Sequence, residues 1–299
     1  MTKVQNKASI GALLLDAGKI NLNDAELVIA LQKKENIRFG DAAKKLGLVT
    51  DDDIQKVISK QFNFEFLTVN EKDFDPELIA AYNPFSPQVE ALRALRGQLM
   101  LRWSSETNKT LVLVSPNRNE GRSTLAANLA IIFSQLGERT LLIDADLQQP
   151  RQHTLFKLKD VNDDSDKDNR DYGLSDILVG RADLTIIRRI HGFKDLSILQ
   201  AGTVPPNPVE LISKGLKDCL KQLETQFDII LIDSPAAEQS TCAQIIASNC
   251  NGVLLVARQN ETRLNDLLRL KTVLQDTGCQ CVGVALTDFL NVKTATLSG

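Results

Sequence analysis

Apolar positions in the first sixty residues recur in a repeated pattern. Ser9-Ile10-Gly11 opens a segment that places Leu14, Gly18, Ile29 and Gln32 at fixed offsets. Arg38-Phe39-Gly40 opens a second, with Ala43, Gly47, Ile58 and Gln61 at the same offsets. The two copies, 9–32 and 38–61, are separated by Lys33–Ile37. Each reads as a short apolar helix stopped at a glycine, because glycine takes the positive φ of a helix end at little cost. A polar turn follows, Asn21–Asp24 or Thr50–Asp53, with residues able to cap a second helix. Val28 and Ile29, then Ile54, Val57 and Ile58, mark the apolar faces of those second helices. The pattern predicts two helical hairpins in an all-α domain over residues 1–68. Residues 69–83 read as a linker, since Asp73, Asp75, Pro76 and Pro84 interrupt any periodic element. From Val89 an amphipathic helix runs toward Trp103, and short apolar runs then alternate with amphipathic segments. Thr110–Ser115, Thr140–Ala145, Asp228–Asp233, Gly252–Ala257 and Val282–Leu286 read as strands. Ser123–Leu136 and Val209–Thr225 read as helices. Nearly continuous apolar strands between helices predict an α/β domain over 84–299, with a mostly parallel sheet covered on both faces.

Composition narrows the function classes. Thirty-five Lys+Arg against 38 Asp+Glu give a net charge of −3, without the basic excess of a general nucleic-acid binder, so no nucleic-acid partner is expected. Five cysteines in the last third, without framework spacing, read as free thiols of a reducing compartment. No apolar run reaches the ~18 residues of a membrane span, and the N-terminal apolar stretch is too short for a secretory signal. A cytoplasmic protein is expected, peripheral to the inner membrane through a partner. The aspartate-rich stretch Asp160–Asp171 reads as a solvated loop.

Three segments carry candidate chemistry. Ser115-Pro116-Asn117-Arg118-Asn119-Glu120-Gly121-Arg122-Ser123-Thr124 lies between a strand and a helix, where backbone N–H groups and the helix N-terminus converge on an anion. Against the pattern G-x-x-x-x-G-K-[ST], it keeps Gly121, Ser123 and Thr124, while Pro116 replaces the first glycine and Arg122 the lysine. Arginine keeps the charge but is longer and planar. The second segment ends a strand with Asp144 and Asp146, and the third with Asp233. Carboxylates at the carboxyl ends of parallel strands lie where ligands bind in such sheets. Beside a phosphate-binding loop they suit Mg²⁺ on a nucleotide. A single aspartate there could equally be a turn residue or a helix cap.

Together these segments resemble the Walker A, A′ and B motifs of the bacterial tyrosine kinases (BY-kinases), which are P-loop proteins related to the MinD/ParA ATPases. The resemblance covers about residues 84–290. Glu90, Arg93 and Arg96 match the family's E-x-x-R-x-x-R helix, which implies self-association into a homo-oligomer. Pro205-Pro206-Asn207-Pro208-Val209-Glu210-Leu211 matches its P-P-N-P-x-E-L segment. Arg122 and the run Leu147–His153 look closest to EpsG-type chain-length-determinant tyrosine kinases of exopolysaccharide clusters. The resemblance implies ATP and Mg²⁺ as cofactors. Arg118, Asn119, Glu120, Gly121, Arg122, Ser123 and Thr124 would bind ATP. Ser123, Asp144 and Asp233 would hold the metal, and Arg122, Asp144 and Asp146 would be catalytic. It also implies a transmembrane, Wzz-like polysaccharide chain-length determinant as partner, and protein substrates in the polysaccharide pathway. The chain departs from the family at Gln148, where arginine is common, and at Thr287, where asparagine is common. Its tail, 288–299, has no tyrosine, so self-phosphorylation would have to use Tyr82 or Tyr172.

The N-terminal repeat resembles the N-terminal module of the MshE and type II secretion ATPases, some of which bind cyclic di-GMP. Their motif opens R-L-G. Here only the second copy carries the arginine, Arg38, and the first has Ser9. One arginine in place of two costs a dianion about 1.5–3 kcal/mol of charge-assisted contact. Three function classes remain at this point: an ATP-dependent tyrosine kinase of exopolysaccharide polymerisation, chain length and export; a non-catalytic ATP-binding scaffold of the same machinery; and a MinD/ParA-like ATPase.

Overall fold

The computed structural model describes residues 9–51, 53–54, 57, 74–103, 107, 109–158 and 172–288. The sequence expectations for Ile58, Gln61, the Asp160–Asp171 stretch and the tail beyond Asp288 lie outside these residues. The chain divides into two compact units, Met1–Thr68 and Val69–Gly299.

In the first unit, α1 (Ile10–Asp16), α2 (Leu22–Glu35) and α3 (Phe39–Lys45) surround a core of Leu14, Ile20, Ala25, Val28, Ala42, Ala43, Val49 and Val57. Gly18 and Gly47 have φ of +65° and +69°, the left-handed conformation that stops each first helix. Asn21 and Asp24 form a reciprocal capping box at the start of α2. Thr50 and Asp53 repeat it in the second copy: the Asp53 amide donates to Thr50 Oγ1 at 3.2 Å, and the Thr50 amide to Asp53 Oδ2 at 3.0 Å. The opening triplets of the two copies meet crosswise. A Cβ on Gly11 would stand 3.0 Å from the Phe39 ring, and one on Gly40 would stand 3.7 Å from Ile10 Cδ1. Gly11 leaves room for Phe39 of the other copy, while Gly40 leaves room for Ile54 of its own, 3.2 Å from where a Cβ would stand.

The second unit opens with α4 (Ile79–Tyr82) and α5 (Pro87–Arg102), followed by β1 (Thr110–Val114), α6 (Arg122–Ser134), β2 (Thr140–Asp144), α7 (Gln152–Leu155) and α8 (Leu174–Leu178). Then come β3 (Arg188–Arg189), β4 (Leu196–Leu199), α9 (Pro208–Leu223), β5 (Ile229–Asp233), α10 (Cys242–Ser248), β6 (Gly252–Arg258), α11 (Leu264–Asp276) and β7 (Cys281–Thr287). The sheet order is β3-β4-β2-β5-β1-β6-β7, parallel except for β3 against β4. On one face Val112, Val114, Leu141, Ile143, Ile230 and Ile232 pack against apolar residues of α9, α10 and α11. On the other, α6 is buried against β1, β2 and β5, beneath α4 and α5.

Residues 74–83 are no free linker. Phe74 packs edge-on to Phe156 with ring centroids 5.4 Å apart, and Leu78, Ala80 and Ala81 are fully buried. The Ala80 amide donates to Asn128 Oδ1 of α6 at 2.9 Å. Pro76 and Pro84 mark where this strap turns; they do not keep it off the core. No helix among the described residues is long and apolar enough to cross a membrane.

Candidate nucleotide site at the carboxyl edge of the sheet

The strand order brings the three predicted segments together. β5 lies between β1 and β2, with Asp233 in register with Asp144 on one side and Leu113 on the other. The loop after β1 turns into α6 through Gly121, whose φ is +83° and which serves as the helix N-cap. A Cβ there would stand 3.1 Å from Thr287 Cγ2, so the left-handed turn and a close neighbour both call for glycine.

Asp144, Asp146 and Asp233 are all buried, Asp144 and Asp233 completely. Their compensation comes from the protein. Arg122, also buried, directs its Nε to Asp233 Oδ1 at 3.0 Å and its Nη1 to Ser115 Oγ at 2.8 Å, with Nη2 3.7 Å from Asp146 Oδ2. Asp144 Oδ2 accepts the amides of Arg151 and Gln152 at 2.8 and 2.9 Å. Asp146 Oδ1 accepts the amide of Gln149 at 3.0 Å. Burial, and then the charge of Asp233, push the Asp144 carboxyl well above the ordinary carboxylate range; burial also raises that of Asp146, against the pull of its backbone donors and Arg122.

Several predicted residues have other employment. Glu120 is buried inside the loop: it accepts the amide and side chain of Asn117 at 2.9 and 3.0 Å and the Thr262 hydroxyl at 2.6 Å. It shapes the loop from within and does not face a ligand. The Thr124 hydroxyl donates to Glu77 at 2.6 Å, and Glu77 also holds Arg151. Arg118 and Asn119 are exposed at the loop tip, with Asn119 at φ +58°. Ser123 stands half-buried in the first turn of α6, as a metal-binding hydroxyl would. Arg122 was expected to point at phosphate. In this structure its guanidinium is turned inward, because a fully buried Asp233 demands a cation.

Among the described residues no group of three metal-ligating side chains is arranged to hold an ion directly. The oxygen-only donor set suits a hard divalent cation, but both Asp233 oxygens are already engaged, by Arg122 and by Gln152 Nε2 at 2.8 Å. Sequence reasoning gave no role to Ser115, Glu77 or Gln152, although Ser115 opens the first segment and Gln152 lies in the Leu147–His153 run.

The remaining predicted residues lie elsewhere. Glu90 is exposed and pairs with Arg93 at 3.0 Å, while Arg96 donates to the Ile132 carbonyl at 2.9 Å, capping the end of α6 from within the chain. Tyr82 is tied down: its hydroxyl accepts the Phe74 amide at 2.7 Å and donates to the Phe74 carbonyl at 3.1 Å. Tyr172 is half-buried. Arg38 is exposed at the start of α3.

A mostly parallel sheet with a glycine-turned loop after an interior strand, entering a helix beside strand-end carboxylates, defines a P-loop α/β protein. A family model described as an AAA domain matches residues 117–276. Tyrosine-protein kinase YwqD of Bacillus subtilis is 30% identical over 210 residues, covering 70% of this chain and 84% of the relative. Tyrosine-protein kinase wzc of Salmonella typhi is 29% identical over 219 residues, 73% of this chain but 29% of the relative. Among solved structures, the kinase domain of the Escherichia coli tyrosine kinase ETK superposes with a TM-score of 0.65 at 26% identity, over 74% of this chain and 83% of that one. The chain belongs to the bacterial tyrosine kinases, within the AAA-domain proteins.

Proposed function

We propose that the protein transfers the γ-phosphoryl group of Mg²⁺-ATP to protein tyrosine, in the machinery that sets exopolysaccharide polymerisation, chain length and export. The observation that carries this reading is the joining of Gly121, Arg122 and Ser123 to Asp144, Asp146 and Asp233 at one buried sheet edge. The loop amides and the start of α6 would receive the phosphates. Mg²⁺, when bound, would neutralise charge on the β- and γ-phosphates. Ser123 would hold it, with Asp144 and Asp233 acting through its water, since Asp233 is spanned by protein donors. Asp146, less buried than Asp144 and flanked by Arg122, is placed to accept the phenolic proton. The tyrosine oxygen bonds to the γ-phosphorus, the bond to the β–γ bridging oxygen breaks, and ADP leaves. Arg122 would exchange part of its hold on Asp233 for the β- and γ-phosphates.

A substrate in trans ranks above self-modification. Phosphorylating Tyr82 would require breaking both of its bonds to Phe74, and the tail offers no tyrosine. A transmembrane chain-length determinant is the activating partner in this reading, and the stripe of Glu90, Arg93 and Arg96 would contact a second copy, with the exposed Glu90 foremost. For the helical unit, Arg38 is the one candidate contact for cyclic di-GMP. The experiment is incubation with labelled ATP, Mg²⁺, the partner's cytoplasmic segment and candidate pathway proteins. Phosphotyrosine is expected, and its loss by about a thousandfold in Asp144→Ala plus Asp146→Ala. Undiminished phosphotransfer in the folded double variant would sink the assignment.

A further inference from the structure

Gln152 is fully buried at the start of α7, and its side chain reaches across the site. Its Nε2 donates to Asp233 Oδ2 at 2.8 Å and to the Ser123 carbonyl at 3.1 Å, so one carboxamide ties β5 to the first turn of α6. Its backbone amide donates to Asp144 at 2.9 Å. One residue therefore touches all three groups expected around the metal. The orientation of the carboxamide is fixed by chemistry: both neighbours are acceptors, so the amino group must face them. Its Oε1 is then buried with no hydrogen-bond partner. A buried acceptor without a donor is costly, and this one belongs to a residue whose N–H groups are held by the carboxylates of Asp233 and Asp144. The missing partner must be a donor, and it must be compatible with a cluster of negative charge. Water in the hydration shell of a divalent cation meets both conditions.

We infer that Gln152 is a positioning residue for the metal–nucleotide complex: its amino group sets the spacing between Ser123 and Asp233, and its Oε1 accepts a hydrogen bond from metal-bound water. This rests on the Mg²⁺-nucleotide reading of the site and goes beyond it, since no motif assigns this position a role. Residues that hydrogen-bond to a metal's ligands orient those ligands, and losing one costs about 10–100-fold in metal affinity.

The test is nucleotide binding by the full chain, measured with a fluorescent ATP analogue in Mg²⁺ and again in EDTA. Gln152→Met keeps the volume and removes both polar atoms. Gln152→Leu also removes both polar atoms and adds no charge beside Asp233. Both should lower affinity in Mg²⁺ by tenfold or more and leave affinity in EDTA within about twofold. A residue that merely supported the fold would move the two values together. Circular dichroism identifies a variant that has not folded, and the other then decides. A wild type with Mg²⁺-dependent binding and a folded variant that matches it would overturn the role of Gln152 alone. A wild type with no Mg²⁺-dependent binding would overturn the site reading and this inference with it.

Discussion

Asp53 of the helical unit and Asp144 of the sheet edge are both aspartates at the ends of elements, yet their surroundings move them in opposite directions. Asp53 sits at the surface. A hydrogen bond from Lys19, and then bonds from the amide and hydroxyl of Thr50, hold its carboxyl down to about 2. Asp144 is out of reach of solvent and beside Asp233, and its carboxyl is pushed up. The first charge is stabilised by folding and the second is burdened by it. A carboxylate that caps a helix is a local device, whereas carboxylates gathered at strand ends need collective compensation, here from Arg122, Gln152 and backbone amides. The contrast separates an aspartate whose charge supports the fold from one whose charge the fold must compensate.

The largest test of this contrast is at Arg122. Arg122→Met leaves Asp233 buried with its cation removed and should destabilise the α/β unit by about 3–5 kcal/mol in a urea titration. Arg122→Lys should recover part of that loss. A loss below about 1 kcal/mol would mean that Gln152 alone satisfies Asp233. Next, Asp144→Asn removes the burdened charge and should raise the melting temperature by about 2–4 °C at pH 8, equivalent to about 1 kcal/mol in a unit of this size. The sign follows from the raised pKa: the folded state holds the proton more tightly, so wild-type stability falls as pH rises from the ordinary carboxylate range through the folded value. The gain should therefore close near pH 4. Asp53→Ala should behave in the opposite sense. It costs about 1 kcal/mol at neutral pH, and the difference from wild type should vanish as pH falls from about 4 through about 2. Smallest is Glu90→Ala, whose exposed pair with Arg93 should change stability by less than about 0.5 kcal/mol. A larger change in oligomer size by light scattering would show the stripe serving assembly and not the fold of one chain.

Much of this architecture could be read from the chain before any coordinates. The five strands read as apolar runs are present: β1, β2, β5 and β6 are buried on both faces and write their position in continuous Val, Ile and Leu, while β7, an edge strand with Val284 and Leu286 exposed, still keeps an apolar run. β3 and β4 were not read. β4 is four residues long with Ser197 inside it, and β3 is a pair of arginines held by backbone pairing to β4, which leaves no side-chain signature. The linker expectation failed because Pro76 and Pro84 were weighted over Phe74, Leu78, Ala80 and Ala81, whose burial depends on a surface supplied by α6 and α7. At the site, the aspartates were legible from their position after strands. The inward turn of the Glu120 side chain, onto Asn117 and Thr262, was not legible, because sequence does not reveal which way a loop carboxylate points. Asp176 was not noticed at all, although it is fully buried and gathers the amides of Gly173 and Thr203 and the guanidinium of Arg181.

The position of β5 has a consequence for the birth of the chain. β1 and β2 do not touch each other; each waits for β5 to insert between them, and β6 follows later still. β2 ends at Asp144 and β5 begins at Ile229, a stretch that takes on the order of ten seconds to translate at the usual elongation rates. Throughout that interval Thr110–Val114 is an apolar strand with both edges open, a template for wrong pairing. Ribosome-bound chains halted before Ile229 should therefore bind holdase chaperones strongly and lose that affinity once residues through β6 have emerged. The arrangement that gathers the strand-end carboxylates also makes the middle of the sheet one of the last parts of the protein to close.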